Sequence, residues 1–333
     1  MFGIALILAQ MVYKMKRIGV ITAGGDAPGM NAAIRAVVRS AIYHGLEVIG
    51  IERGYAGLIE GRYRILDRRS VGGIINLGGT ILRSVRCEEI KTDEGIQRAA
   101  EFMKSIGIEG LVAIGGDGTF RGASRLYRAS GIPIIGVPAT IDNDVAGTDE
   151  TIGFDTAVNI AVSAIDKIRD TATSHERTFV IEVMGRKRGF IALEVGLAGG
   201  AEVVLIPEVK VDLDEVCKVI VEDRRAGKIS SIVVMAEGAG DSRYVANYIA
   251  QKTGQEVRLT VLGHIQRGGS PTAKSRILAS HFGYRAVELL LTGERKRMVG
   301  IQGDEITSVD LDYSWMVEKE LDLNKYRLVG ILK

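Results

Sequence analysis

Two polar loops, each following a buried strand, constrain the fold of this chain most strongly. The apolar runs at 110–114 and 132–137 have the length and the bounding turn residues of strands in a parallel sheet. The first leads into GGDGT at 115–119 and the second into PATIDND at 138–144. Carboxyl ends of neighbouring parallel strands meet at the sheet edge where α/β proteins bind ligands. We therefore expect glycine amides and carboxylates there to handle phosphate and metal beside a proton acceptor.

Composition narrows the possible classes of protein. The chain has 333 residues, enough for about two domains, and its 46% apolar and 25% charged residues are ordinary for a globular protein. A net charge of +2 gives no reason to expect nucleic-acid or membrane binding, so anion binding has to be local. Cys87 and Cys217 have no ligand-type spacing, and we expect reduced thiols in a cytoplasmic protein.

The first residues stand apart from the rest of the chain. Residues 1–13 are apolar, but they have no preceding charge and no small-residue cleavage site. They also fall short of the ~20 residues that span a bilayer. We expect residues 1–15 to be an N-terminal extension, either loose or packed on the surface.

The first half of the chain alternates strands and helices. Strand 17–22 leads through a glycine turn into a helix that ends near His44, and such a helix N-terminus is suited to anions. Strand 47–51 follows, and then a turn that is expected to expose Tyr55, a ring that in such a turn more often packs than stacks on a base.

Arginines accompany the glycines of this first half. The glycine-rich loop at 71–80 precedes Arg83 and Arg86, which suits a polyphosphate, although a flexible surface loop is the alternative. Arg35 and Arg39 lie four residues apart on a polar helix face, and a solvated pair and an anion site both remain open.

A second α/β alternation begins at about Gly153 and predicts a second lobe. Near its end, Arg258, His264 and Arg267 surround a strand that leads into a Gly-Gly turn. Guanidinium groups match phosphate oxygens two at a time, so this segment is a candidate phosphate pocket.

Taken together and in this order, these segments resemble the phosphofructokinase family, on its bacterial ATP-dependent branch. The resemblance covers about Lys16 to Gly303. GGDG alone is unspecific because other nucleotide and lipid kinases carry it. The specific set is GGDG at 115–118, TIDND at 140–144, MGR at 184–186 and GHIQR at 263–267.

The resemblance implies a fold and a domain arrangement. It implies two Rossmann-like three-layer α/β lobes with mainly parallel sheets and the active site in the cleft between them. The ATP-binding lobe would comprise residues 16–152 and 265–312, and the fructose-6-phosphate-binding lobe residues 153–264 and 313–333. A homotetramer with shared active sites is implied as well.

The implied reaction is glycolytic: ATP and fructose 6-phosphate give ADP and fructose 1,6-bisphosphate, with Mg²⁺ on the ATP phosphates. Asp142 matches the general base, and the catalytic set is Asp142, Asp144 and Arg186. Asp144 would face away from Asp142 in an extended loop and would have a supporting role. Asp117 matches the carboxylate associated with Mg²⁺.

The resemblance also assigns binding residues. The positions around ATP are Gly25, Tyr55, Arg86, Cys87, Gly116, Asp117, Gly118 and Thr119. Those around fructose 6-phosphate are Thr140, Ile141, Asp142, Arg177, Met184, Gly185, Arg186, Glu237, Arg258, His264, Ile265, Gln266 and Arg267. Of these, Arg177 and Arg258 would reach the substrate of a neighbouring subunit.

The identity of the phosphoryl donor depends on two positions. Pyrophosphate-dependent relatives resemble this chain but have an aspartate in place of Gly118 and a lysine in place of Ala139. A carboxylate would repel the α-phosphate of ATP, so Gly118 favours ATP. A pyrophosphate-dependent enzyme is the alternative. A non-catalytic, effector-binding subunit is disfavoured because Asp117 and Asp142 are both present.

Regulation is a second open question. The positions that match the family's effector site, which takes ADP or phosphoenolpyruvate, are Arg35, Arg39, Arg68, Arg169, Glu202 and Lys228. Basic residues of relatives are replaced by Ala226, Ile229 and Ser230. We expect an effector site of undetermined sign.

Overall fold

The computed structural model describes residues 15–333. The predicted extension lies outside the described residues except for Met15, whose side chain is buried. Within the described part of the chain, no helix is long and apolar enough to cross a membrane.

The described chain alternates strands and helices. The strands are β1 (Arg17–Thr22), β2 (Glu47–Ile51), β3 (Tyr63–Leu66), β4 (Gly110–Gly115), β5 (Ile134–Thr140), β6 (Ile152–Gly153), β7 (Thr178–Val183), β8 (Val203–Leu205), β9 (Ser231–Ala236), β10 (Val257–Val261), β11 (Lys296–Gln302) and β12 (Glu305–Asp310). The α-helices are α1 (Met30–Tyr43), α2 (Tyr55–Glu60), α3 (Asp93–Ser105), α4 (Asp117–Ser130), α5 (Phe154–Ser174), α6 (Phe190–Ala198), α7 (Leu213–Arg225), α8 (Ser242–Thr253), α9 (Ala273–Leu291), α10 (Tyr313–Met316) and α11 (Leu323–Leu332).

One compact unit comprises residues 15–140, Val145–Gly153 and Gly269–Lys319. Its sheet has the strand order β12-β11-β5-β4-β1-β2-β3, with β6 paired to the end of β5. The inner strands are parallel, whereas β3 and β12 run antiparallel to their neighbours. This order places the ends of β1, β4 and β5, and the loops that follow them, side by side.

Helices cover both faces of this sheet because its central strands are apolar throughout. Ile21 and Leu111 pack into a buried cluster with Met103 of α3 and Phe120 of α4. Alternate strand residues such as Val112 are equally buried and face α1 and α9. Full burial of each such side chain contributes roughly 1.5–3 kcal/mol.

A close approach between α1 and α9 depends on Gly283. A Cβ atom at this position would lie 2.7 Å from the Cβ of Ala36 and 2.8 Å from the carbonyl oxygen of Ala33. Because Gly283 has no Cβ atom, the backbones of the two helices can pack directly against each other.

The second unit comprises Ile141–Asp144, Phe154–Gly268 and Glu320–Lys333. Its sheet is parallel throughout and has the strand order β10-β7-β9-β8. Val180, Val233 and Met235 form its buried core with Ile220 of α7 and Ile249 of α8.

The predicted α/β fold class with mainly parallel sheets is confirmed. The predicted strands at 17–22 and 47–51 coincide with β1 and β2. The first unit resumes at Gly269 and ends at Lys319, whereas the family resemblance implied a return at residue 265 and an end at residue 312. The assignment of one substrate to each lobe stays a prediction.

One local expectation was wrong. Tyr55 does not lie in an exposed turn but begins α2, and its side chain is 5% exposed. The preceding Gly54 has a φ of 65°, a conformation that favours glycine, and it directs the next residue inward.

Candidate active site

The loop after β4 presents backbone amides at a helix N-terminus. Gly116 has an extended backbone, and its carbonyl accepts hydrogen bonds from the amides of Thr119 at 2.9 Å and Phe120 at 3.1 Å. The amides of Asp117 and Gly118 begin α4 and have no partner within the helix, so the helix end favours an anion.

Gly118 borders open space. Apart from its chain neighbours and the backbone of its own helix, no described atom lies within 4 Å of the position that a Cβ atom on this residue would take. At Gly116 the same test places the nearest atom, the Cβ of Thr140, at 3.5 Å. A ligand can therefore approach the backbone of Gly118 closely on this side.

Thr119 and Tyr55 support this loop from beneath. The Thr119 hydroxyl donates to the carbonyl of Ala23 at 2.9 Å and links the loops that follow β1 and β4. The Tyr55 hydroxyl donates to the Thr119 carbonyl at 2.5 Å, and burial raises the pKa of this phenol. Because both side chains are buried, the structure gives them a supporting position under the loop.

The segment that carries Arg86 and Cys87 is fastened to the loop after β1. Ser84 donates its hydroxyl to the Gly24 carbonyl at 2.5 Å, next to the predicted ATP residue Gly25. Arg86 is exposed, whereas Cys87 is half-buried against the core.

Asp117 is the carboxylate at the start of α4. Its side chain is 37% exposed, and its Oδ1 accepts a hydrogen bond from Nε of Arg121 at 2.7 Å. Among the described residues there is no group of three or more His, Cys, Asp or Glu side chains that could hold a metal ion. Mg²⁺ is commonly held by one or two carboxylates plus substrate phosphates, so a single aspartate beside a phosphate site fits it.

Arg121, the partner of Asp117, is absent from the sequence-based candidates. Its spacing of four residues from Asp117 within a helix brings the two side chains onto one face, and this spacing was already visible in the sequence.

Asp142 is a buried carboxylate in the second unit. Its side chain is 6% exposed, and Oδ2 lies 3.2 Å from Nε of Arg186. Burial raises the pKa of Asp142 to about 6, with a further rise from the charge of Asp144 and an opposing effect of Arg186 and Arg267. The carboxylate therefore remains ionised at neutral pH but is more basic than an exposed aspartate.

The expectation for Asp144 assumed an extended loop, and the loop has a different conformation. Asn143, between them, has a φ of 53°, so the loop is not extended and the alternation of side chains breaks down. The negative charge of Asp144 consequently acts on Asp142 and raises its pKa.

The loop after β7 is held in an unusual conformation. Arg186 has a φ of 54°, and its backbone amide donates to Oε1 of Glu237 at 2.6 Å. A Cβ atom on Gly238 would lie 2.2 Å from the Arg186 carbonyl oxygen, so the loops after β7 and β9 pack tightly. These contacts bring together Gly185, Arg186 and Glu237, three residues that the resemblance places around fructose 6-phosphate.

The segment after β10 forms a 3₁₀ helix at Gly263–Arg267. His264 and Ile265 are exposed, whereas Gln266 is fully buried and donates from Nε2 to the Gly263 carbonyl at 3.2 Å. Gln266 therefore holds the turn, and Arg267 is close enough to lower the pKa of Asp142.

Other predicted sugar-phosphate residues lie near strand ends. Thr140 ends β5, and its carbonyl accepts a hydrogen bond from the Thr151 hydroxyl at 2.6 Å. Ile141 is buried, and Met184 follows β7 and is half-buried.

Arg177 and Arg258 share one carboxylate. Nε of Arg177 lies 2.7 Å from Oε2 of Glu256, and Arg258 pairs with the other oxygen of the same group. The hydrogen bond from Arg177 lowers the pKa of Glu256. The two arginines are thus held side by side at the amino ends of β7 and β10.

Three of the predicted effector residues meet in the second unit. Oε1 of the buried Glu202 lies 3.0 Å from Nζ of Lys228 and 3.9 Å from Nη1 of Arg169. Arg169 also donates to the carbonyls of Gly199 and Gly200 at 2.7 Å each.

The other three effector candidates belong to the first unit. Arg35 is half-buried, and Arg39 and Arg68 are exposed. Burial, followed by the charge of Arg39, lowers the pKa of Arg35.

Comparison with known proteins gives a consistent result. A family model described as Phosphofructokinase matches residues 17–290. A protein of Halothermothrix orenii named ATP-dependent 6-phosphofructokinase is 57% identical over 330 residues, covering 96% of this chain and 99% of the relative. A protein of the same name from Halalkalibacterium halodurans is 56% identical over 314 residues, covering 94% and 98%.

Solved structures share the fold. Phosphofructokinase from Saccharomyces cerevisiae gives a TM-score of 0.85 at 36% identity over 90% of this chain, which spans only 45% of the yeast chain. A pyrophosphate-dependent phosphofructokinase from Marinobacter aquaeolei gives a TM-score of 0.84 at 25% identity, covering 93% of this chain and 86% of the other.

Proposed function

The chain belongs to the phosphofructokinase family and phosphorylates fructose 6-phosphate with ATP, and we propose that Asp142 is the general base of this reaction. The 1-hydroxyl oxygen of the sugar forms a bond to the γ-phosphorus as the bond to the bridging oxygen of ADP breaks. The hydroxyl proton passes to the carboxylate of Asp142. The observation that carries this assignment is a buried carboxylate whose pKa is raised to about 6 beside a guanidinium.

The environment of Asp142 suits a base. Poor solvation makes the carboxylate a better proton acceptor, and Arg186 at 3.2 Å keeps it ionised at neutral pH. General-base assistance of this kind typically contributes ~10²–10⁴-fold to the rate. Asp144, through its charge, further raises the basicity of Asp142.

We assign fructose 6-phosphate to the second unit. Arg186, Arg267 and His264 supply cationic or hydrogen-bonding groups, and Glu237 fixes the loop that carries Arg186. Ile141, Met184, Gly185 and Gln266 complete the proposed set in the second unit by position. In a proposed homotetramer, Arg177 and Arg258 would reach the sugar phosphate of a neighbouring subunit; the exposed side chain of Arg258 supports this role.

We assign ATP to the first unit. Amides at the start of α4 would receive phosphate oxygens, Gly118 leaves space for the α-phosphate, and Arg86 would neutralise charge. Asp117 would hold Mg²⁺, which when bound neutralises charge on the ATP phosphates. Gly25, Cys87 and the buried pair of Tyr55 and Thr119 shape the loops around this site.

ATP, and not pyrophosphate, is the donor. Relatives that are 57% and 54% identical over nearly their full length are named ATP-dependent 6-phosphofructokinase. The open space at Gly118 supports this donor because a carboxylate there would repel the α-phosphate.

We further propose a cytoplasmic, glycolytic enzyme with an effector site for ADP or phosphoenolpyruvate. The free thiols of Cys87 and Cys217 support a reducing compartment. The cluster of Arg169, Glu202 and Lys228 supports the effector site.

A coupled assay of fructose 1,6-bisphosphate formation tests these assignments. We expect turnover with ATP and Mg²⁺ and none with pyrophosphate. Turnover on pyrophosphate alone would overturn the donor. Adding ADP or phosphoenolpyruvate should change the fructose-6-phosphate dependence in the wild type but not in Lys228→Met, with Lys218→Met as the surface control.

A further inference from the structure

Asp117 already has a cationic partner. Arg121 lies one turn further along α4, and its Nε donates to Oδ1 of Asp117 at 2.7 Å. The side chains are 55% and 37% exposed, respectively, so this ion pair lies at the surface. The guanidinium therefore lies against the carboxylate to which the proposed function assigns Mg²⁺.

The same guanidinium covers an indole ring. The central carbon of Arg121 lies 5.0 Å from the ring centroid of Trp315, which belongs to α10 and packs against the core of this unit. A guanidinium over an indole face is held by electrostatic attraction to the ring. Arg121 is thus fixed between a carboxylate and an aromatic ring.

We propose that Arg121 is a positioning residue that holds the Asp117 carboxylate before nucleotide binds and competes with Mg²⁺ for it. This inference rests on the proposed role of Asp117 as the metal carboxylate. A divalent ion and a guanidinium repel each other, so the ion pair has to open or rearrange when the metal–nucleotide complex binds. Exposed helical ion pairs are weak, and the exchange is therefore easy.

Trp315 makes this exchange observable. It is the single tryptophan of the chain, so intrinsic emission reports on one ring. Because Arg121 covers that ring, its movement away from Asp117 changes the surroundings of the indole.

The test measures binding rather than turnover. A non-hydrolysable ATP analogue is titrated with Mg²⁺ by calorimetry, using wild type and Arg121→Met. Methionine keeps an unbranched stem but removes the competing charge. We expect the Mg²⁺ concentration at half-saturation to fall about two- to fivefold, as for loss of an exposed ion pair. Binding of the analogue with Mg²⁺ should also change Trp315 emission in the wild type and much less in Arg121→Met.

Arg285→Met is the matched control. Arg285 forms a half-buried i,i+3 ion pair with Glu288 at 3.2 Å on α9 of the same unit. Its replacement should leave both readouts as in the wild type.

Two outcomes separate failure of this inference from failure of the proposed function. If Asp117→Asn raises the Mg²⁺ requirement but Arg121→Met leaves it unchanged or raises it, the role of Arg121 is overturned alone. If Asp117→Asn has no effect on the Mg²⁺ requirement, the metal assignment fails and this inference fails with it.

Discussion

The side-chain Nε of Arg186 lies 3.2 Å from Oδ2 of Asp142, and this pair joins a mostly exposed guanidinium to a buried carboxylate. Arg186 reaches this position with a φ of 54°, while Glu237 accepts a hydrogen bond from its amide. Left-handed backbone at a non-glycine residue costs of order 1–3 kcal/mol and persists where surrounding contacts fix it. The loop is therefore held in place for this contact.

Replacing Asp142 by asparagine should abolish most of the activity. The amide keeps the volume of the side chain but cannot accept the hydroxyl proton, so we expect kcat to fall by about 10²–10⁴-fold. The dissociation constant for fructose 6-phosphate should change only a few-fold, measured by calorimetry. The exposed variant Asp166→Asn is the control, and equal losses in kcat and sugar-phosphate affinity would contradict the role as base.

The same substitution should stabilise the protein at high pH. The folded-state pKa of about 6 lies above the ordinary value of 3.8, so the fold favours the protonated carboxyl. This contribution is complete below a pH of about 4 and is lost as the pH rises through about 6. The difference corresponds to roughly 3 kcal/mol. Asp142→Asn should therefore exceed the wild type in free energy of unfolding at pH 8 but by much less at pH 4, measured in urea.

Removing the Arg186 guanidinium should move the acid limb of the pH–rate profile. Arg186 lowers the pKa of Asp142, so Arg186→Met should raise the apparent pKa in kcat/KM by about one unit. The profile is measured from pH 5 to 9 under conditions where the variant still turns over. A fall in rate with no movement of the limb would show that Arg186 acts only on substrate.

A carboxylate at Gly118 should select against ATP. Repulsion between like charges costs several kcal/mol, so Gly118→Asp should lower kcat/KM for ATP by about two orders of magnitude or more. Gly118→Ala is the matched control because its methyl group enters open space, and we expect it to stay within a few-fold of the wild type. Similar losses in both variants would indicate a backbone effect instead.

Loss of the buried Tyr55 hydroxyl should lower the stability of the first unit. Tyr55→Phe leaves the Thr119 carbonyl without this donor, and we expect a loss of about 1 kcal/mol in the free energy of unfolding. Tyr43→Phe is the control, since that ring is 77% exposed. An unchanged midpoint in urea for Tyr55→Phe would refute this contribution.

Sequence patterns predicted the buried parts of the fold best. A strand such as β4, buried along its entire length, consists of consecutive apolar and small residues, and its signal is local. The edge strand β3 has three exposed residues out of four, so its pairing with β2 depends on the neighbouring strand and not on its own pattern. The edge strand β12, which has no buried residue, likewise lacks a local pattern of its own.

The sequence names candidate site residues but does not show their geometry. The position of Asp144 depends on the backbone of Asn143, and no spacing rule reports a φ of 53°. Burial of Tyr55 likewise depends on Gly54 and on the distant acceptor at Thr119. These details come from tertiary contacts that the sequence does not display.

Because the first unit consists of three chain segments, its parts are synthesised at different times. Residues 134–136 of β5 pair with β11, which begins only at Lys296. At synthesis rates of 5–20 residues per second, this edge of β5 waits roughly 10–30 s for its partner. The contiguous stretch Phe154–Gly268 emerges earlier. The nascent chain therefore completes the bulk of the second unit first and exposes an open strand edge in the first, where chaperone binding or mispairing would concentrate.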